Sequence, residues 1–271
     1  MAPSILSQLK ENFKDRMTVT VEFIDKVYGG IPKCKKSLDY FMQERCMSDE
    51  QKKSLEERLS IQGMTDEEKR IAMDLNWNVF EKDLQGNCCL WTGNIKAMLR
   101  EIFTTLGLTQ KRHKSGEDAH AGGKQTLQHG VSVCSCNPGD YLRIPFLIDG
   151  KSQAASQGYD DRIKHIEDKA GKRSVIGRHD YFVTPTMQFV LSWPRDGVYS
   201  AADIIKALCF CEDDGLGACR SQCFGQFKVI KIDYDGEEID KIITMDDLKR
   251  YKPEKKAEEG ESKKGKKAKA G

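Results

Sequence analysis

The sequence predicts an α+β fold, and two observations carry that prediction. Four segments have the β-branched and aromatic content of strands, at 17–24, 127–136, 186–193 and 226–232. Two more carry an apolar stripe at helical spacing, at 94–106 and 200–212. They follow one another as β, α, β, β, α, β. This is the split βαβ order of ferredoxin-like and RRM-like folds, in which two helices cover one face of an antiparallel sheet and the other face is left for a partner.

The first strand is Met17-Thr-Val-Thr-Val-Glu-Phe-Ile24, an alternation that Gly29-Gly-Ile-Pro32 ends with turn chemistry. A charged segment follows. Ser48-Asp-Glu-Gln51 and Thr65-Asp-Glu-Glu68 are capping boxes, each opening a helix with a thin apolar stripe, so a helical hairpin is expected over 48–85. Trp91-Thr-Gly-Asn94 leads into the clearest helix. Ile95, Met98, Leu99, Ile102, Phe103 and Leu106 fall on one face, while Lys96 and Arg100 fall elsewhere. Residues 109–125 read as a polar loop with a basic cluster at Lys111, Arg112, His113 and Lys114.

Two further strands are expected at 127–136 and 141–148. The polar, glycine-punctuated run 149–176 is expected to loop. Thr186–Trp193 is a strand, and Ser200-Ala-Ala-Asp203 caps the second core helix. After the strand at 226–232, Asp235-Gly236 turns the chain into 237–243, and a short helix at 245–251 precedes a lysine-rich tail. The expected organisation is one RRM-like domain over 1–251, with insertions at 33–90 and 149–180, and a disordered tail over 252–271.

Composition narrows the function classes. The chain has 271 residues, 38% hydrophobic and 32% charged, enough to bury a full core. No apolar run approaches the ~20 residues that span a bilayer, and the N-terminal segment is too polar for a secretory signal. A cytoplasmic protein with no membrane partner is expected. The ten cysteines then read as thiols. Cys209-x-Cys211 and Cys219-x3-Cys223 lack the spacing of a zinc knuckle, so neither a metal nor another cofactor is expected. The net charge of +2 is uneven: Lys252–Gly271 carries eight Lys and four Glu. A tail of that composition cannot form a core and adds sequence-independent affinity for nucleic acid.

The stretch Gly215-Leu-Gly-Ala-Cys-Arg-Ser-Gln-Cys-Phe-Gly225 lies between the second helix and the last strand. Gly215, Gly217 and Gly225 permit positive φ and close backbone approach. Arg220, Ser221 and Gln222 add a cation and two hydrogen-bonding groups, a combination that suits a phosphate. A glycine-rich helix stop followed by a connector is the plain structural reading of the same residues.

This loop resembles that of the RAMP superfamily, the RRM-like proteins of CRISPR effector complexes. The family pattern is Gly-hydrophobic-Gly-x-x-Arg-Ser-x-Gly-Phe-Gly running into the final strand, and Cys223 stands here where the family usually has a glycine. Trp91-Thr-Gly-Asn-Ile-Lys-Ala-Met-Leu-Arg100 is similar to the start of the family's first helix. The resemblance covers about half the chain and is strongest to backbone subunits, which bind guide RNA through its phosphates. It implies single-stranded RNA or DNA as partner, together with other RAMP subunits or copies of the same chain. Phosphate contacts are then expected from Lys96, Arg100, Lys111, Arg112, Arg178, Arg220 and Lys228, and stacking from Trp91, Tyr181 and Phe224, although such rings more commonly serve as core. Two alternatives stay open. One is a metal-independent RAMP-type endoribonuclease, with His179 and Asp25 as candidate proton-transfer residues. The other is a structural or host-interaction protein of a phage or mobile element. Deleting 252–271 is expected to leave the melting temperature unchanged and to reduce affinity for random-sequence RNA; a large fall in melting temperature on deletion would show that the tail docks on the body.

Overall fold

The computed structural model describes residues 14–108, 130–168, 171–195, 199–234 and 237–239. In chain order the strands are β1 (Lys14–Phe23), β2 (Lys26–Tyr28), β3 (Ile31–Pro32), β4 (Asn78–Val79), β5 (Glu81–Lys82), β6 (Cys88–Trp91), β7 (Ser132–Ser135), β8 (Arg143–Pro145), β9 (Leu147–Ile148), β10 (Lys151–Ser152), β11 (Gly158–Asp168), β12 (Gly171–Val183), β13 (Thr186–Pro194), β14 (Phe227–Tyr234) and β15 (Glu237–Ile239). The α-helices are α1 (Lys35–Glu44), α2 (Asp49–Arg58), α3 (Asp66–Asp74), α4 (Thr92–Thr105) and α5 (Ala201–Asp214). The fold is mixed α+β and rich in strand.

Period-two alternation builds the main sheet. Met17, Val19, Val21 and Phe23 of β1 are fully buried, as are Met187, Phe189 and Leu191 of β13. β1 pairs antiparallel with β13 on one side and β14 on the other, and β13 pairs antiparallel with β7. The order across the sheet is therefore β7-β13-β1-β14, with β15 beyond β14. The register with β14 slips between Thr20 and Val21, leaving Ile230 as the extra residue of a bulge.

α4 and α5 pack against each other, α4 over β7 and α5 over β14. Ile95, Met98, Leu99 and Phe103 of α4 and Ile204, Ile205, Leu208 and Cys211 of α5 join the buried strand residues in one core. Ser200 starts α5 as expected: its hydroxyl accepts from Asp203 N while the Asp203 side chain accepts from Ser200 N at 3.0 Å.

Several expectations need correction. The segment 149–176 is mostly strand, not loop, because β11 and β12 form a long antiparallel ribbon from Gly158↔Tyr181 to Asp168↔Gly171. Its strands are held by cross-strand pairing and not by apolar alternation: Asp161 faces Arg178, and only Ile163↔Ile176 is an apolar pair. The two helices expected from the capping boxes form as α2 and α3, with both boxes made, but α1 precedes them, and the three share a second small core of Leu38, Met42, Leu55, Leu59, Ile61, Met64 and Ala72. α1 has no side-chain cap at Cys34 to announce it, and α3 ends at Asp74 before two short strands. The expected strand at 141–148 is divided at Phe146, with β8 in a small sheet beside β6 and β9 beside β13. Residues 127–129, 109–125, the expected helix at 245–251 and the tail lie outside the described residues.

Phe146 marks where these layers meet. It is fully buried, with ring centroids 5.9 Å from Phe23 of β1, 5.0 Å from Phe80 and 5.3 Å from Phe182 of β12. The insertion is tied down by charge as well. Glu81 accepts from Arg143 at 2.7 Å and from Arg58 of α2 at 3.2 Å. Phe146→Ala is expected to lower the unfolding free energy by about 3–5 kcal/mol; urea denaturation measures it, and a loss under ~1 kcal/mol would mean that the layers do not depend on this ring.

Candidate nucleic-acid interface

The glycine-rich loop leaves α5 at Gly215 and folds onto β2. Ala218 N donates to Tyr28 O at 3.0 Å, Gly225 N to Lys26 O at 3.0 Å and Leu216 N to Gly225 O at 2.8 Å. Gly225 has φ +77°, and a Cβ there would run into the Leu216 carbonyl oxygen, so the closure of this loop requires glycine. Between these anchors Arg220–Gln222 makes a single 3₁₀ turn, with Cys219 and Cys223 left-handed on either side. Phe224 turns inward and meets the Tyr28 ring edge-on at 5.0 Å.

One wall of a cleft of about 290 Å³ is this loop, through Leu216, Gly217, Ala218 and Arg220. The facing wall is the start of α4, through Trp91, Asn94 and Ala97; Gly30 and Ile31 form the floor, and Arg45 closes one end. Trp91 is 40% exposed, so it is not a core residue. Its ring lies across the first turn of α4, where a Cβ on Gly93 would collide with it. Arg45 stands over the Phe41 ring at 4.3 Å and is 5.8 Å from the Trp91 ring. The first-turn N–H groups of Gly93 and Asn94 have no intrahelical carbonyl to reach, which places the positive end of a 14-residue helix at the cleft. Arg220 pairs with Glu101 at 3.3 Å, with both side chains more than a third exposed. Such a pair is worth at most about 1 kcal/mol, so an incoming phosphate can displace it. Glu81 also lines the cleft, but its carboxylate already accepts from two arginines.

The structure brings together only part of the expected set. Gly217 and Arg220 line the cleft, and Ser221 lies just outside it, in an adjoining depression with Glu101, Asp213 and Asp214. Gln222 is exposed in the 3₁₀ turn. Lys96 and Arg100 are on α4 but do not line the cleft; Lys96 is half-buried, and that burial pulls its pKa down. Arg178 is elsewhere, making two bonds to Asp161 at 2.7 and 2.9 Å and standing over the Tyr159 ring at 4.1 Å. Lys228 is exposed and paired in register with Glu22. Lys111 and Arg112 are outside the described residues. Arg45 was missed because it ends a helix that the sequence did not announce.

His179 is 1% exposed, its Nδ1 2.9 Å from Gly29 O, beneath the loop and not in the cleft. Asp25 is exposed in the turn between β1 and β2. Among the described residues no group of three or more His, Cys, Asp or Glu side chains is placed to hold a metal ion.

A polar cluster fastens the β11–β12 ribbon to the loop. The Tyr28 hydroxyl donates to Asp160 Oδ2 at 2.6 Å and accepts from Arg162. Lys26 Nζ reaches the same carboxylate at 2.7 Å and stands 4.0 Å over the Tyr181 ring, so Tyr181 already carries a cation. Arg162 stacks over Phe224 at 4.1 Å. Burial, then the bond to Asp160, pushes the Tyr28 hydroxyl up to about 12. Burial raises Asp160 too, but the bonds from Lys26 and Tyr28 and the Lys26 and Arg162 charges outweigh it and hold the carboxyl below its usual range.

No family model matches the chain, and no curated protein matches it. Solved structures do. One is a chain of the cryo-EM structure of the Type III-B Cmr-beta complex bound to cognate target RNA, at 12% identity and TM-score 0.40, covering 85% of this chain and 63% of that one. This chain therefore spans less than two thirds of the length of that neighbour.

The Asp160 cluster has a pH signature. A carboxyl with a lowered folded pKa contributes stability above its unfolded value, about 4, and loses it as pH falls through the folded value. Asp160→Asn is expected to cost about 1–2 kcal/mol at pH 7, with the gap to the native chain closing at an acid pH below the carboxyl's lowered folded value. Urea midpoints at the two pH values test this; a gap that persists in acid would show that the carboxylate charge is not what stabilises the cluster.

Proposed function

We propose that this chain binds single-stranded nucleic acid, RNA in the first instance, in the cleft between Trp91 and Arg220. The observation that carries the reading is an exposed tryptophan laid across a helix N-terminus, with two arginines, Arg45 and Arg220, lining the same cleft. A ring of that kind takes a base without regard to its identity. The helix terminus and the two guanidiniums take the neighbouring phosphates. Stacking and phosphate contacts carry the binding, so it is sequence-tolerant and salt-dependent.

The sheet order β7-β13-β1-β14, with α4 and α5 packed together over it, supports reading the core as ferredoxin-like and RRM-like. With the Gly215–Gly225 loop it supports placing the chain among RAMP-like RNA-binding subunits that assemble with other subunits. The endoribonuclease reading gains no support from His179, whose ring sits inside, bonded to Gly29.

Fluorescence anisotropy with a labelled oligouridylate tests the cleft. Trp91→Ala is expected to weaken binding by about 1–3 kcal/mol, with Trp91→Phe recovering much of it. Arg220→Ala is expected to reduce the slope of log K against log salt by about 0.7, one phosphate on a single strand. Arg178→Ala, whose guanidinium is held by Asp161, serves as a control and is expected to bind like the native chain. Native affinity and slope in both Trp91→Ala and Arg220→Ala would overturn the proposal.

A further inference from the structure

We propose that Cys219 and His179 form a thiol–imidazole pair that makes Cys219 the reactive cysteine of this chain, a site for oxidation by hydroperoxides and for modification by small neutral or cationic electrophiles. This does not rest on the nucleic-acid reading. The tautomer follows from geometry. His179 Nδ1 lies 2.9 Å from the Gly29 carbonyl oxygen, which can only accept, so Nδ1 carries the proton. In the neutral ring the lone pair is then on Nε2, and Nε2 is 4.0 Å from Cys219 Sγ. The imidazole is 1% exposed, so bulk water does not compete for that nitrogen.

Cys219 has φ 62° and ψ 24°, a left-handed conformation in which a side chain is costly. The loop uses glycine at three other positive-φ positions, Gly215, Gly217 and Gly225, and cysteine at two, Cys219 and Cys223. Cys219 is only half-buried and lines an open depression of about 430 Å³, so a reagent can reach it.

The charges around that depression set the selectivity. Glu101 approaches from α4, Asp213 and Asp214 from the end of α5, and Arg220 from the loop itself. The Tyr28 ring packs on His179 from β2, at 6.0 Å. Three carboxylates against one guanidinium disfavour a standing thiolate and repel anionic reagents. The proton must therefore pass to His179 as the sulfur attacks. With a hydroperoxide, the Cys219 S–H proton moves to Nε2 and the sulfur takes one peroxide oxygen. The O–O bond breaks, and the departing oxygen recovers the proton from Nε2 as water or an alcohol. The sulfur loses two electrons to become a sulfenic acid, and the peroxide gains them. By contrast, burial pushes the Cys88, Cys89 and Cys211 thiols up, which makes them poor nucleophiles.

The test is pulse alkylation of the full native chain with limiting iodoacetamide, each cysteine quantified by peptide mass spectrometry, across pH ~6 to ~9. The exposed Cys46 and Cys223 are internal references. Cys219 is expected to react about tenfold faster than either near pH 6.5, with its rate levelling off at lower pH than theirs. It should also react faster with a cationic methanethiosulfonate than with an anionic one, and be trapped as a dimedone adduct after limiting hydrogen peroxide. His179→Gln is expected to bring Cys219 down to the reference rate while leaving Cys46 unchanged. If that variant unfolds, the native pH profile alone decides. Cys219 reacting no faster than Cys46 and Cys223 at every pH would overturn the proposal, as would an unchanged Cys219 rate in folded His179→Gln.

Discussion

Tyr28 is where the parts of this molecule that face the cleft are joined. Its backbone carbonyl holds Ala218, its ring packs against Phe224 and His179, and its hydroxyl sits between Asp160 and Arg162. One fully buried side chain on a three-residue strand thus connects the glycine-rich loop and the β11–β12 ribbon, whose sheet β2 joins by pairing with β12. The raised pKa of its hydroxyl keeps the proton in place at any physiological pH, so it always donates to Asp160. An ionised tyrosine beside that carboxylate would repel it and weaken this cluster, leaving the β2–β12 pairing and the Arg162–Phe224 stack to hold ribbon and loop together. The loop has few apolar anchors of its own, Leu216 being the buried one. Its shape is therefore set by what β2 offers it.

The legible parts of the chain were those in which burial is one-sided. β1, β13, α4 and α5 each put one face into the core, so their apolar residues recur at the period of the element and the reading found them within a few residues. The unread parts lack that asymmetry. The β11–β12 ribbon interleaves charged residues such as Asp160, Asp161, Arg162, Arg178 and Asp180 with isolated apolar ones, without a sustained apolar alternation. Its strand character lies in pairing, and pairing is not written in one segment alone. α1 buries just Leu38 and Met42 and begins at a cysteine that makes no cap. Phe146 could not reveal that it divides two strands, because the division comes from Phe146 N donating to Cys88 O, a residue distant in sequence.

The site was half legible for the same reason. Glycines and Arg220 formed a local pattern, and local patterns survive without a structure. Arg45 and the exposure of Trp91 depend on how the helical insertion packs beside β6, which nothing in either segment states. The basic residues chosen by type alone mostly found other work. Arg178 is bonded to Asp161 and stacked on Tyr159, and Lys96 is half-buried. A cation's availability is decided by its neighbours, and those come from folding.

The helical insertion also settles the electrostatics of the cleft. Glu81 lies in its wall and would repel a phosphate if it stood alone. Arg58 arrives from α2 and Arg143 from β8, both bonding the same carboxylate oxygen, so the negative charge is spent inside the protein. Burial and the nearby Arg143 together lower the Arg58 pKa, while the Glu81 and Asp140 partners outweigh burial to raise that of Arg143. Both cations keep their charge at neutral pH, since arginine starts above 12. Arg143 also pairs with Asp140, so two cations here meet two carboxylates, and Arg45 and Arg220 are the cations left lining the rim. An insertion that looks like a separate small core around Leu38 and Leu55 thereby turns a wall containing a glutamate into one that an anion can approach.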